Sequence, residues 1–109
     1  MNFLLTGGAG YIGSHAALSL LDAGHSVHII DDLSTGNESL IPKSALFTKC
    51  NINNEEVISK LIQLNNFDVL MHFAGFIQVE ESVKYPQKYF DNNTENATKL
   101  FETCKSNGL

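Results

Sequence analysis

The sequence has few of the features that mark membrane, secreted or nucleic-acid-binding proteins. Among its 109 residues, Lys and Arg number only 7 against 12 Asp and Glu, so a net charge of -5 argues against a basic surface for nucleic acids or anionic membranes. No apolar run approaches the ~20 residues needed to cross a bilayer, and the N-terminal run lacks the cationic leader of a signal peptide. Tryptophan is absent, and the two cysteines, Cys50 and Cys104, match neither zinc spacing nor a Cys-x-x-Cys redox motif. We therefore expect a cytoplasmic protein with reduced thiols and no metal site.

What the sequence does contain is a regular alternation of strand and helix patterns. Short apolar runs predict four strands, near residues 3–5, 27–30, 45–48 and 67–73. Helical spacing of apolar residues predicts helices over 11–23, after a cap at Asn53 or Asn54, and after Pro86. The expected buried faces of the last two helices are Val57, Ile58, Leu61, Ile62 and Leu64, and then Tyr89 or Phe90, Ala97, Leu100, Phe101 and Cys104. Such alternation is typical of an α/β fold with a parallel sheet and right-handed crossovers.

A glycine-rich segment joins the first predicted strand to the first predicted helix. Residues 6–13 read Thr-Gly-Gly-Ala-Gly-Tyr-Ile-Gly, which satisfies the Gly-x-Gly-x-x-Gly pattern of dinucleotide-binding loops. Glycine allows the sharp turn and the close approach of a pyrophosphate, and Gly13 allows the helix to pack closely on the strand. The phosphates would then meet the free N–H groups and the positive end of the helix dipole.

An acidic residue at the end of the second predicted strand strengthens this interpretation. Asp31 follows the glycine motif at close to the roughly 20-residue spacing expected of a carboxylate that binds the adenosine ribose. A carboxylate there accepts both ribose hydroxyls and repels a 2′-phosphate, so it favours NAD over NADP. We expect the neighbouring Asp32 to be a solvated turn residue rather than a second ribose ligand.

Further segments, in the same order along the chain, resemble the extended short-chain dehydrogenase/reductase superfamily and, within it, the UDP-glucose 4-epimerases. The glycine motif occurs throughout the superfamily, whereas the combination of the later segments is much narrower. The matching pieces are residues 6–15, residues 31–36, the His-Phe-Ala-Gly of 72–75, the Val-Glu-Glu-Ser-Val of 79–83, Pro86, and the Tyr-Phe-Asp-Asn-Asn of 89–93.

This resemblance implies a tightly held NAD that takes the 4-hydrogen of a UDP-hexose as hydride and returns it to the other face of the sugar. It also implies that full-length members are homodimers. Tyr11 and Ile12 would offer backbone N–H groups to the pyrophosphate, residues 73–75 would lie near the nicotinamide, and Asn92 would lie near the phosphates. The complete set of implied cofactor-binding residues is Gly7, Gly10, Tyr11, Ile12, Gly13, Asp31, Asn51, Ile52, Phe73, Ala74, Gly75 and Asn92.

The sequence departs from the family pattern in two binding segments. The family often has an Asp-Ile pair after the third strand, whose acid contacts adenine, and here the pair is Asn51-Ile52. An amide can still donate to or accept from an adenine edge. Some members also have a lysine after the Ala-Gly segment, where this chain has Phe76, Ile77 and Gln78.

The catalytic groups of the family have no counterpart in this sequence. The Tyr-x-x-x-Lys acid/base pair of the family follows the fifth strand, and no lysine stands four residues after Tyr85 or Tyr89. His72 is expected to be a packed strand residue rather than a catalytic base. We therefore predict no catalytic residue here, an inactive chain when alone, and UDP-hexose binding only if a C-terminal part is supplied.

These patterns predict that residues 1–109 form the N-terminal part of an NAD-binding Rossmann domain. We expect a partial, doubly wound parallel sheet of the first four strands with their helices, ending before a fifth strand and without a substrate domain. Two alternatives stay open: another extended short-chain enzyme acting on sugar nucleotides, and a non-catalytic, truncated remnant.

Overall fold

The computed structural model describes residues 1–34, 36–74 and 95–109 as one parallel sheet with helices. The strands β1 (Asn2–Thr6), β2 (Ser26–Asp31), β3 (Leu46–Lys49) and β4 (Val69–His72) lie in the order β3-β2-β1-β4. The helices are α1 (Tyr11–Asp22), α2 (Glu55–Leu64) and α3 (Asn96–Ser106), and a short 3-10 turn spans Glu38–Leu40. The predicted alternation of strands and helices is confirmed.

Helices cover both faces of the sheet, and the alternation of side chains along β1 explains why. Leu4 points to one face and is fully buried, while its neighbours Phe3 and Leu5 point to the other. The first face packs on α2 and α3 through a cluster of Leu4, Ile30, Ile52, Ile58, Ile62, Leu100 and Cys104. The second face packs on α1 through Phe3, Leu5, Ala17, Val27 and Ile29. The partial Rossmann-type, doubly wound fold predicted from the sequence is therefore confirmed.

Two apolar residues assigned to buried helix faces are in fact exposed. Leu64, the last residue of α2, is 82% exposed, because it lies half a turn from the stripe formed by Ile58 and Ile62. Phe101 is 50% exposed, because it lies about 100° around α3 from the fully buried Leu100. Tyr89 and Phe90 lie outside the described residues.

The ends of the helices follow the expected local chemistry. Helix α1 ends just before Gly24, whose φ of 88° is in the left-handed region that favours glycine. Helix α2 is capped by Asn54, whose side-chain oxygen accepts a hydrogen bond from Val57 N at 3.3 Å. Of the two predicted caps, Asn54 is thus the correct one.

Both cysteines are free thiols, one half-buried and one buried. Burial raises the pKa of the Cys50 and Cys104 thiols, and the negative charge of Asp32 raises the pKa of Cys50 further. Neither thiol is therefore activated as a nucleophile. Within residues 1–34, 36–74 and 95–109, no helix has the length and apolar character needed to span a membrane.

Candidate functional site

The carboxyl ends of β1, β2 and β4 meet around Gly7. Its φ of 70° provides the turn that leaves β1, and its N–H donates to Ile30 O of β2 at 2.8 Å. A Cβ atom on Gly7 would lie 2.6 Å from Phe73 C and 2.7 Å from Ala74 N. Glycine is needed here both for the turn and for the approach of the chain that leaves β4.

Helix α1 begins directly above this turn without any side-chain cap. Its N-cap residue is Gly10, no acidic residue lies in its first turn, and its first intrahelical bond runs from Ser14 N to Gly10 O at 2.9 Å. In the part of the chain that the structure describes, the N–H groups of Tyr11 and Ile12 have no hydrogen-bond acceptor. The side chains of Tyr11 and Ile12 are 74% and 62% exposed, so they do not cover this end of the helix. Free N–H groups and the helix dipole together make this end suited to an anion.

The helix reaches this position because two glycines allow close packing. A Cβ on Gly13 would overlap Gly7 O and would lie 3.1 Å from Gly8 Cα. A Cβ on Gly8 would lie 2.5 Å from the side chain of Ile29. Gly13 therefore allows α1 to pack against the turn that leaves β1, rather than directly on the strand, and Gly8 allows the turn to pack against Ile29 of β2.

Asp31 connects the glycine turn to the loop that follows β2. Its carboxylate is buried, with Oδ2 accepting from Ala9 N at 3.0 Å and Oδ1 accepting from Leu33 N at 2.7 Å. Leu33 has a φ of 63°, an uncommon conformation for a residue with a side chain. Each carboxylate oxygen has two lone pairs, so each can accept one more hydrogen bond from a ligand hydroxyl. Sequence spacing predicted the position of Asp31 but not its two backbone partners.

The loop after β2 also packs directly on the glycine turn. Asn37 N donates to Ala9 O at 2.9 Å. A Cβ on Gly36 would lie 2.9 Å from Ala9 Cβ and 3.0 Å from Asp31 Oδ2. A larger residue at position 36 would therefore displace either the turn or the carboxylate. The sequence predicted the glycine motif as part of this site. It did not predict that Gly36 belongs to the site as well.

Asp32 and Asn51 form a separate polar pair beside Asp31. Asp32 Oδ1 accepts from Ser34 N at 2.9 Å and its Oδ2 accepts from Asn51 Nδ2 at 3.2 Å. Asn51 Oδ1 in turn accepts from Asn53 N at 3.0 Å. Asp32 is therefore a turn residue. The side chain of Ile52 is buried in the core, which leaves only its backbone for a ligand.

The predicted residues after β4 are only partly described. Phe73 and Ala74 are half-buried, and Phe73 N donates to Thr6 O at 2.9 Å, which holds the chain beside the glycine turn. Gly75, Asn92 and the matching segments between them lie outside the described residues. The structure thus brings Gly7, Asp31 and Phe73 to one edge of the sheet.

His72 is packed between β1 and α3. Its Nδ1 lies 2.5 Å from Thr6 Oγ1, and its ring meets that of Phe101 edge-on at a centroid distance of 5.7 Å. Burial lowers the pKa of His72 and so favours the neutral ring. Among the residues with described positions, no group of three or more His, Cys, Asp and Glu side chains could hold a metal ion.

The residues at this edge fit a dinucleotide. The open end of α1 suits a pyrophosphate, and the buried Asp31 carboxylate suits a diol. The lack of a Cβ on Gly7 and Gly13 is what allows the turn, the helix and the chain after β4 to lie this close together. The edge is also where ligands bind in open parallel sheets, outside the carboxyl ends of the strands.

Comparison with known proteins decides the family. Residues 3–109 match the sequence profile of the NAD dependent epimerase/dehydratase family. The chain belongs to this family. The resemblance to UDP-glucose 4-epimerases noted in the sequence is confirmed as well, since proteins of that name are among its similar relatives.

Three similar proteins illustrate this membership. The UDP-glucose 4-epimerase of Azospirillum brasilense is 42% identical over 106 residues, which are 97% of this chain and 30% of that protein. The UDP-arabinose 4-epimerase 1 of Arabidopsis thaliana is 39% identical over 115 residues, covering 97% of this chain and 27% of that protein. The structure of UDP-glucose 4-epimerase from Stenotrophomonas maltophila, with bound NAD and formylated UDP-arabinopyranose, superposes with a TM-score of 0.94 at 35% identity. That match covers 100% of this chain and 34% of the other. The chain thus spans about a third of the length of these family members.

Proposed function

We propose that this chain binds NAD at the carboxyl edge of its sheet and forms the cofactor-binding part of a UDP-sugar 4-epimerase. The observation that carries the proposal is the uncapped start of α1 beside the buried carboxylate of Asp31. When bound, NAD supplies a hydride acceptor. The chain's own residues bind and orient it.

The N-terminus of α1 would hold the pyrophosphate. Tyr11 and Ile12 would donate their backbone N–H groups to the phosphates. Gly7 and Gly13 would keep the turn and the helix close together, and the absence of a side chain at Gly10 would admit the phosphates to the backbone. A Cβ on Gly10 would meet only Gly7 O, at 3.4 Å, so the space above Gly10 is open to a ligand. This end of the helix carries no acidic side chain that would repel the phosphates.

Asp31 would accept the ribose hydroxyls with its remaining lone pairs. Because the carboxylate is buried and held by two backbone N–H groups, it stays in place beside the ligand. A 2′-phosphate would meet this negative charge, so NAD is preferred to NADP. The remaining proposed contacts are Asn51 and Ile52 with adenine, Phe73, Ala74 and Gly75 with the nicotinamide side, and Asn92 with the phosphates.

We further propose that the sugar chemistry depends on residues beyond this chain. The 109 residues would be the N-terminal part of the NAD-binding domain, inactive alone, and the full-length protein would be a cytoplasmic homodimer that interconverts UDP-glucose and UDP-galactose in galactose metabolism. The similarity to a UDP-arabinose 4-epimerase supports 4-epimerisation of a UDP-sugar, with the choice of sugar made elsewhere.

Calorimetric titration of NAD into the purified chain tests the proposal. The wild-type chain should bind NAD more tightly than NADP. Asp31→Asn should weaken NAD binding by about ten- to a hundredfold, because a hydrogen bond to a charged group contributes about 1.5–3 kcal/mol. Asp22→Asn, at the exposed end of α1, is the matched control and should bind like the wild type. A chain that unfolds cooperatively but binds neither dinucleotide would be a non-catalytic remnant, which contradicts the proposal.

A further inference from the structure

Thr6 and His72 form a buried polar pair that connects the ends of β1 and β4. Thr6 is fully buried, and its Oγ1 lies 2.5 Å from His72 Nδ1. The same oxygen accepts from Phe73 N at 3.2 Å, and that N–H also reaches Thr6 O at 2.9 Å. The hydroxyl thus adds a side-chain connection at the end of the backbone ladder that pairs β1 with β4.

The protons of this pair can be assigned from its partners. A threonine hydroxyl has one hydrogen to donate and two lone pairs. Its oxygen accepts from Phe73 N with one lone pair, and His72 Nδ1 lies within reach of its own hydrogen. In the described part of the chain, no other acceptor lies within hydrogen-bond distance of this hydroxyl. A hydrogen on His72 Nδ1 would therefore leave a buried hydroxyl hydrogen unpaired, which is costly. The neutral ring with its hydrogen on Nε2 is the form in which the Thr6 hydroxyl, His72 Nδ1 and the Phe73 N–H all have a hydrogen-bond partner.

The pair lies directly beside the point where the chain leaves β4. Phe73 follows His72 directly, and its N–H donates a hydrogen bond to the hydroxyl oxygen of Thr6. Gly7 follows Thr6 directly, and its Cα packs so closely on the Phe73–Ala74 peptide that no Cβ would fit. A shift of one strand end against the other would thus change the gap between the glycine turn and the Phe73–Ala74 peptide.

From this geometry we propose that Thr6 and His72 are positioning residues, which fix the Phe73–Ala74 backbone against the glycine turn for the nicotinamide half of NAD. The inference rests on the proposed function. Neither side chain needs to touch the cofactor, because both act through Phe73. The adenine half depends on Asp31 and α1, which this pair does not contact.

A matched pair of substitutions at Thr6 tests the role. Thr6→Val replaces the hydroxyl by a methyl of similar size, and Thr6→Ser keeps the hydroxyl. Thr6→Val should raise the Kd for NAD about three- to tenfold and leave the Kd for ADP, which lacks the nicotinamide half, nearly unchanged. Thr6→Ser should restore most of the NAD affinity. Thermal unfolding of each variant identifies any that do not fold.

Nitrogen NMR of the histidine side chains gives a second readout, which needs no ligand. Long-range nitrogen–proton correlation should show His72 in the wild type as the Nε2–H form, with Nδ1 unprotonated. Thr6→Val should give a mixture of the two forms, and Thr6→Ser should restore the single form. If the Thr6 hydroxyl does not donate to His72, neither substitution should change the form of the ring, so this measurement tests the hydrogen bond, whereas the comparison of NAD with ADP tests the positioning role.

The possible outcomes separate this inference from the proposed function. Equal loss of NAD and ADP affinity in Thr6→Val, or no loss of either, overturns the positioning role, and so does a wild-type His72 protonated at Nδ1. If the wild-type chain binds neither ligand, the proposed function is wrong and the positioning role falls with it. The NMR measurement then still decides whether the hydrogen-bonded pair exists.

Discussion

Helices α1 and α2 both begin at the carboxyl edge of the sheet, but their first turns are stabilised in different ways. Helix α2 is capped by Asn54 and has Glu55 and Glu56 in its first turn, so its own side chains satisfy an N–H group and oppose the helix dipole. Helix α1 begins at Gly10 with neither a capping side chain nor an acidic residue. The difference teaches that the start of α2 is satisfied by the protein's own side chains, whereas the start of α1 has the free N–H groups on which the proposed phosphate site depends.

An acidic capping residue at the start of α1, like the capped and acidic start of α2, should produce the largest effect, which is a loss of NAD binding. In Gly10→Asp, the new carboxylate can cap the helix, since Gly10 has a φ of -80° and its Cβ would meet only Gly7 O at 3.4 Å. We expect the free energy of unfolding to stay within a few tenths of a kcal/mol of the wild type or to rise. NAD binding should fall at least about a hundredfold, because two like charges about 4 Å apart repel by about 4 kcal/mol near a protein surface.

Calorimetry and chemical denaturation measure these two quantities. Gly10→Ala is the control for the added Cβ, and its loss of NAD affinity should be smaller than that of Gly10→Asp. If Gly10→Asp binds NAD as well as Gly10→Ala does, the start of α1 is not the anion site and the contrast between the two helices has no functional meaning.

Removing the cap of α2 should have a smaller effect, which is a loss of stability without a loss of NAD binding. Asn54→Ala leaves Val57 N without its acceptor, so the free energy of unfolding should fall by about 1 kcal/mol. Urea unfolding followed by circular dichroism measures this change. Asn53→Ala is a neighbouring control outside the cap. NAD affinity should not change, since α2 does not contribute to the proposed site, and a clear loss of NAD affinity in Asn54→Ala would contradict that assignment.

The acidic first turn of α2 should make the smallest contribution. Glu55→Gln removes a charge from the helix start and an exposed ion pair with Lys99 of α3, whose Nζ lies 3.6 Å from the carboxylate. We expect a loss of about 0.3–1 kcal/mol at low salt that shrinks as salt is added. Glu102→Gln, on the exposed surface of α3, is the control for a simple change of net charge. Equal losses in the two variants at every salt concentration would show that the helix dipole has no part in the effect.

The sequence predicted those features that depend on residues close together in the chain. The glycine turn, the helix end at Gly24 and the cap of α2 are local features. Short runs of apolar residues predicted all four strands. The two errors, Leu64 and Phe101, concern apolar residues beside the buried stripe of a helix, where periodicity alone does not decide which side packs.

The features near the site that the sequence did not predict depend on contacts between distant residues or on an uncommon backbone conformation. Thr6 and His72 stand 66 residues apart, and no local pattern indicates that their side chains meet. The positive φ of Leu33 is equally unexpected from sequence, because leucine rarely adopts it. It is observed where Asp31 accepts from the Leu33 N–H, a bond that the spacing of Asp31 from the glycine motif did not reveal.

The carboxylate of Asp31 has a thermodynamic consequence for the whole chain. It joins Ala9 to Leu33, two amides from separate loops, so the proposed ribose site exists only when both loops are folded against each other. A ligand that binds there selects the folded molecules and stabilises them by an amount that grows with its concentration. If NAD binds as proposed, the free energy of its binding would add to the free energy of folding, and the bound cofactor would help to keep the chain folded.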